Sequence, residues 1–215
     1  RMDDPSRPWW DRVAHAFHHT QKSEVELPDL GTYNLGPETR IPAREALMRH
    51  MKTLPNAEKH ALLDSLPELL DTAPPDDPPQ FVSWDQVREL VADGIACQPH
   101  TVNHPILTRI SPDEIRSELA ESRDRIAAET GQDAVAFAYP NGTLTDYNID
   151  AMNALEELNY ELAFTLQAGP MRLGAVRQHP LEIARVFLGN RDTPELFAAK
   201  VMGVPALTSR PSFKR

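Results

Sequence analysis

The sequence predicts an α/β domain built on a parallel sheet or barrel, and three observations carry that prediction. After residue 80, short apolar strand-like runs alternate with helical patterns. Two capping boxes open helices in the same region. A proline-rich stretch, Thr72-Ala-Pro-Pro-Asp-Asp-Pro-Pro79, separates it from a helix-rich segment. Its four prolines each fix φ and remove a donor, so no helix continues through it. The predicted organisation is therefore 1–80, helical and ending in a linker, and 81–215, alternating β and α.

In the first region, Trp9, Trp10, Val13, Ala14 and Phe17 fall at helical spacing. Val25, Leu27, Leu30, Tyr33 and Leu35 read as short extended pieces, broken by Pro28 and Gly31. Residues 43–54 read as a helix, with Leu47, Met48 and Met51 on one stripe. Asn56 is a candidate N-cap for the helix that begins at Ala57, because its side chain can take a free first-turn amide.

The second region opens on Ser83-Trp-Asp-Gln86, a capping box for a helix through Val87, Leu90 and Val91 that Gly94 ends. Ile95-Ala-Cys97 is predicted as a short buried strand. Ser111-Pro-Asp-Glu114 is the second capping box, with Pro112 at the first helical position, where a missing N–H costs nothing. That helix runs to about Thr130 and Gly131 closes it. Strands are expected at 134–138, 162–164 and 186–188, and helices at 149–158 and 194–202.

Charge and composition exclude several functions. The chain has 215 residues and a net charge of -10, and a phosphate-binding surface would need a basic face instead. No run approaches the ~20 apolar residues that cross a bilayer. The single cysteine, Cys97, excludes an intrachain disulfide and reads as a small buried core residue.

The chemistry-bearing feature is His100-Thr101-Val102-Asn103-His104-Pro105. Two histidines four apart can hold one ion. Pro105 disfavours the helical conformation at His104, which places the pair on a turn after the strand at 95–97. In parallel α/β folds, loops at the carboxyl ends of strands build the site. Alone, a His-x-x-x-His spacing is more often two unrelated surface residues. His15 and His19 have the same spacing and read as a coincidence of a helix face.

His100 to Pro105, followed by Leu107, resembles the second motif of the polysaccharide deacetylases, carbohydrate esterase family four. Trp84-Asp-Gln-Val-Arg-Glu-Leu90 upstream, and Phe137-Ala-Tyr139-Pro140-Asn141-Gly142 downstream, are similar to further segments of that family. Tyr160 to Thr165 and Ala184-Arg185-Val186 resemble the closing strands of one bacterial branch, and Trp9-Trp10-Asp-Arg-Val13 an insertion in it. The resemblance implies a partial, deformed (β/α) barrel with a helical insertion near its N-terminus. It implies a divalent metal, usually zinc, on His100 and His104, and a polysaccharide substrate that loses acetyl groups. It places an oxyanion-stabilising amide at Asn141, after Pro140, with Tyr139 and Phe137 walling the groove. Gly142 reads as an ordinary turn glycine. A bacterial envelope or cytoplasmic setting is implied by the family alone.

The family's first motif, an Asp-Asp pair supplying the general base and third ligand, has no counterpart in this sequence. Met2-Asp3-Asp4-Pro5 is a poor match, since proline replaces the glycine and the Trp9-Trp10 insertion follows directly. The expectation is that two strands and a helix lie upstream of residue 1, leaving strand edges that favour self-association. The usual arginine before the third motif is replaced by Ala134-Val-Ala. His179, in Gln178-His-Pro-Leu181, reads as a loop histidine, and Arg185 as either a surface residue or one orienting a carboxylate. The competing expectations are an acetyl-removing hydrolase, an inactive carbohydrate-binding or scaffold domain, and a non-functional fragment.

Overall fold

The apolar stripe around Phe17 folds as α1 (Trp9–His19), burying Val13, Ala16 and Phe17. In the computed structural model, residues 7–74 and 81–204 are described. The chain divides into two compact units, Arg1–Val87 and Arg88–Arg215. In the first, the extended pieces become an antiparallel hairpin of β1 (Glu24–Leu27) and β2 (Gly31–Asn34), with Val25 opposite Tyr33. Helix α2 (Arg40–Met51) buries Ala43, Leu47 and Met51. Helix α3 (Asn56–Leu70) buries Leu63, Leu66 and Leu70. These side chains form one apolar core with Val25, Leu27 and Leu35. Pro55, not Asn56, occupies the N-cap position of α3, and Asn56 is its first helical residue. Both capping-box expectations hold. Ser83 and Gln86 exchange side-chain and backbone bonds ahead of α4 (Trp84–Ala92).

The second unit is a three-stranded parallel sheet in the order β3-β4-β5, formed by β3 (Ala136–Ala138), β4 (Leu162–Ala168) and β5 (Ile183–Arg185). Helices α5 (Pro112–Thr130) and α6 (Ile149–Glu157) pack on each other. Phe137 and Ala163, opposite each other in register, enter one buried cluster with Ile115, Leu119, Ala154 and Leu155 of those helices. Alternation along β4 then puts Leu162, Phe164 and Leu166 on the other face, where Leu166 stays 48% exposed. Two further helices complete the unit, α7 (Leu173–Gln178) and α8 (Pro194–Val201), the latter capped by Thr193.

Three expectations change. Residues 95–97 form no strand. Gln98 offers its side-chain oxygen, not a backbone carbonyl, to the Ala136 amide, and Pro99 has no donor for a ladder. The only backbone bond from this stretch to β3 runs from Ala138 N–H to the Pro99 carbonyl. Cys97 is accordingly half-buried instead of a core residue. The strand expected at 186–188 lies at Ile183–Arg185, because Leu181 and Ile183 are the residues buried, while Phe187 and Leu188 are more than half exposed. No helix among the described residues is long and apolar enough to cross a membrane.

The Ser111–Glu114 box satisfies two first-turn donors at once, Glu114 N–H and Ser111 N–H. Ser111→Ala should therefore cost about 1 kcal/mol of unfolding free energy, read as a lowered denaturant midpoint at unchanged slope.

Candidate active site

The two predicted histidines sit on an irregular loop between α4 and a single 3-10 turn, Leu107–Arg109. Their rings lie 4.9 Å apart, centroid to centroid, at 76°. The loop turns twice through the left-handed region, at Thr101 (φ +66°) and His104 (φ +55°). Such backbone persists only where neighbours hold it. Here the Thr101 hydroxyl accepts a bond from His104 N–H at 3.0 Å. The Pro105 expectation is met in part: His104 avoids the right-handed helix but adopts the left-handed conformation, not an extended one.

His100 is tied to the sheet. Its Nδ1–H donates to the Ala138 carbonyl at 2.6 Å, at the carboxyl end of β3. That bond fixes the tautomer and leaves Nε2 unprotonated, with its lone pair available. Burial of the ring lowers the His100 pKa from its usual value, and Arg185 pushes the same way, while the Ala138 bond opposes both. The neutral imidazole, the form that binds metals, is thereby favoured. Arg185 is itself anchored, donating from Nε to the Thr165 carbonyl at 2.6 Å.

The third-motif turn follows β3 directly. Asn141 (φ +57°) and Gly142 (φ +70°) reverse the chain, and the Gly142 carbonyl accepts from Leu166 N–H at 2.7 Å. Gly142 is more than an ordinary turn glycine. A Cβ there would lie 2.8 Å from the Leu166 backbone nitrogen and 3.2 Å from the Tyr139 carbonyl. The side chains of Tyr139 and Phe137 do not wall a groove. Each is 1% exposed. Tyr139 stacks on Tyr147 at 4.2 Å and donates its hydroxyl to the Leu181 carbonyl. Aromatic area of that size is worth most in the core, and the hydroxyl has found its partner there. Pro140 is buried too, and Asn141 is partly exposed. Burial pushes the Tyr147 hydroxyl up to about 12, with the Glu182 carboxylate adding to the shift, so it stays protonated near neutral pH.

Sequence reasoning missed Glu118. Its Oε2 accepts from Val102 N–H at 2.7 Å and from Asn103 N–H at 2.9 Å, and its Oε1 from the Asn103 side-chain amide at 2.7 Å. A helical glutamate fifteen residues away carries no sequence signal of its own. His179 ends α7 on a loop, as expected. His15 and His19 share a face of α1, and the His15 Nε2 is engaged with the Ala73 carbonyl. Asp3 and Asp4 lie outside the described residues.

A metal that binds ring nitrogens at ~2.0–2.1 Å suits two imidazoles so spaced, one of them already held by a backbone carbonyl from behind. His100 and His104 thus fit as part of a donor set. Among the described residues, no third His, Cys, Asp or Glu joins them in an arrangement that could hold an ion.

Fold and candidate site together define an α/β protein whose histidine loop and Asn141 turn meet the sheet at the carboxyl end of β3. The polysaccharide deacetylase family model matches residues 50–163, just over half of the chain, and the chain belongs to that family. Deacetylases of this family are generally metal-dependent. YxkH of Bacillus subtilis (strain 168), whose name assigns it to the polysaccharide deacetylases, is 28% identical over 85 residues, 40% of this chain and 29% of YxkH. Among solved structures, the Streptococcus pyogenes deacetylase PplD in complex with acetate is similar at 29% identity and a TM-score of 0.51, over 56% of this chain and 50% of that one. BC0361, a polysaccharide deacetylase from Bacillus cereus, matches at 26% identity and a TM-score of 0.50, over 56% of this chain and 36% of its own. The chain thus spans half or less of the length of these three relatives.

The turn at Gly142 makes a sharp test. Gly142→Ala puts a methyl against backbone and strains φ, and should destabilise by roughly 1–3 kcal/mol or more. Gly94→Ala, also at positive φ but with open space around it, should cost no more than about 1–2 kcal/mol. Equal losses in thermal unfolding would show that the close approach to Leu166 does not matter.

Proposed function

We propose that this chain carries part of the active site of a metal-dependent hydrolase that removes acetyl groups, N-acetyl foremost, from a polysaccharide. The observation that carries the reading is the His100 ring, held through Nδ1 by Ala138 with its Nε2 free to bind and His104 beside it. A divalent metal, zinc in this reading, would be held by His100 and His104. When bound, such an ion polarises an acyl carbonyl and lowers the pKa of water. The Asn141 amide, on a reversed turn after β3, is the candidate oxyanion donor. Arg185 lies near enough to His100 to disfavour its charged form, and equally suits it to orient a carboxylate at the site. The third ligand and the general base are assigned to residues other than those described. The absence of a third donor among the described residues also favours a second reading, an inactive carbohydrate-binding or scaffold domain.

Zinc content discriminates between the two. Chelator-stripped and reconstituted chain should hold about one zinc, lost in His100→Ala/His104→Ala, if the donor set is completed within it. Zinc no higher than in the double variant would mean that the pair is not completed within this chain, which by itself is then inactive.

The reading includes self-association. Leu162, Phe164 and Leu166 form an apolar sheet face that is incompletely buried, and Ile95 and Val135 are exposed beside β3. Parallel sheets are normally covered on both faces. Light scattering of the isolated chain should give a mass above 24.1 kDa, and a monodisperse monomer would count against it.

A further inference from the structure

Resting on the metal-site reading above, we infer that Glu118 is a positioning residue that sets the geometry of the His100–His104 pair from the adjacent helix. The loop between the histidines has no ladder of its own, and two of its residues, Thr101 and His104, hold left-handed backbone. Such backbone is unfavourable for residues other than glycine and persists only where the surroundings enforce it. Glu118 supplies that enforcement. One carboxylate takes three donors from the two residues between Thr101 and His104: the Val102 amide, the Asn103 amide and the Asn103 side chain. Successive amides converging on one oxygen fix the peptide planes of the turn. Bonds of this kind, with a charged acceptor, are roughly twice as strong as neutral ones.

The rest of helix α5 makes that carboxylate a rigid post. Leu119, the next residue, is wholly buried, and its carbonyl accepts from the Tyr160 hydroxyl at 3.0 Å. Ser122, one turn on, bonds back to the Glu118 carbonyl at 2.7 Å. His100 is pinned on the opposite side by Ala138. Sheet and helix therefore hold the start and the middle of one loop, and the ring separation depends on both.

The test uses the full chain with Glu118→Ala, Glu118→Gln and a control, Glu121→Gln, on the same helix. Amide hydrogen exchange is read at Val102 and Asn103, and zinc and cobalt(II) affinity by titration, with the cobalt absorption spectrum as a reporter of ligand geometry. In Glu118→Ala, protection at the two amides should fall at least tenfold while the protection of the Leu119 region and the thermal midpoint change little. Metal affinity should drop about 10–100-fold. Glu118→Gln, which keeps an acceptor, should recover part of both, and the control should match the parent chain. Unchanged exchange at Val102 and Asn103 in Glu118→Ala overturns the positioning role whatever the metal does. Lost protection with unaltered cobalt spectrum and affinity overturns its link to the histidines. A parent chain that binds neither metal defeats the metal-site reading, and with it the inferred link to the pair, while the exchange result alone then decides whether Glu118 holds the loop.

Discussion

Two imidazoles can be held at a fixed separation on irregular backbone only if that backbone is tied to elements that do not move. This constraint organises the second unit. The loop from Gln98 to Pro105 contributes almost no hydrogen bonds to a regular ladder, so its groups are bound one by one from outside. Pro99 and Gln98 take the amides of β3. Ala138 takes the His100 ring, and Glu118 takes the two amides in the middle. Thr101 closes the turn on His104. What the fold supplies to the site is a frame of fixed acceptors, and the buried cluster behind β3 and α5 keeps that frame in place.

That cluster explains why the aromatic residues of the third motif are core and not groove. Phe137 and Tyr139 alternate with Ala136 and Ala138 along β3 and the residue that follows it. Phe137 meets Tyr139 and Tyr160 edge to face, and Tyr139 stacks on Tyr147. Each hydroxyl that goes inside finds an acceptor, Leu181 for Tyr139 and Leu119 for Tyr160. The packing fixes where β3 ends. The next residues can then reverse at Asn141 and Gly142 against Leu166 without strain elsewhere.

Much of this was legible in the residues and some of it could not have been. Helix starts were readable because capping is local: Ser83 with Gln86, and Ser111 with Glu114, bond within four residues. The histidine pair was readable because its motif is local too. Strand limits were not, since an apolar run such as 186–188 carries no mark of which residues face the core, and the sheet took 183–185 instead. The stretch at 95–97 looked like a strand by composition, but whether it pairs depends on what Gln98 and Pro99 do across the sheet. Glu118 was invisible for the same reason. Its partners are fifteen or sixteen residues away, and its role exists only once α5 has been laid beside the loop. The His15–His19 spacing makes the complementary point. Identical separation in sequence gives a helix face in one place and a clamped loop in the other, and it is Pro105 and the bonds around it that make the difference.

The two faces of the sheet carry the argument one step further. Along β4, Ala163 and Thr165 are wholly buried, while Leu162 and Phe164 are half-buried and Leu166 is open. A strand apolar on both sides is the pattern of a sheet covered on both faces. Helices α5 and α6 cover one. His100 bonds to Ala138 at the carboxyl end of β3, Asn141 follows that strand, and Arg185 is the last residue of β5. An ion held there needs a third ligand, and the other face of the sheet, open at Leu166, lies on the same strand that fixes the turn at Gly142.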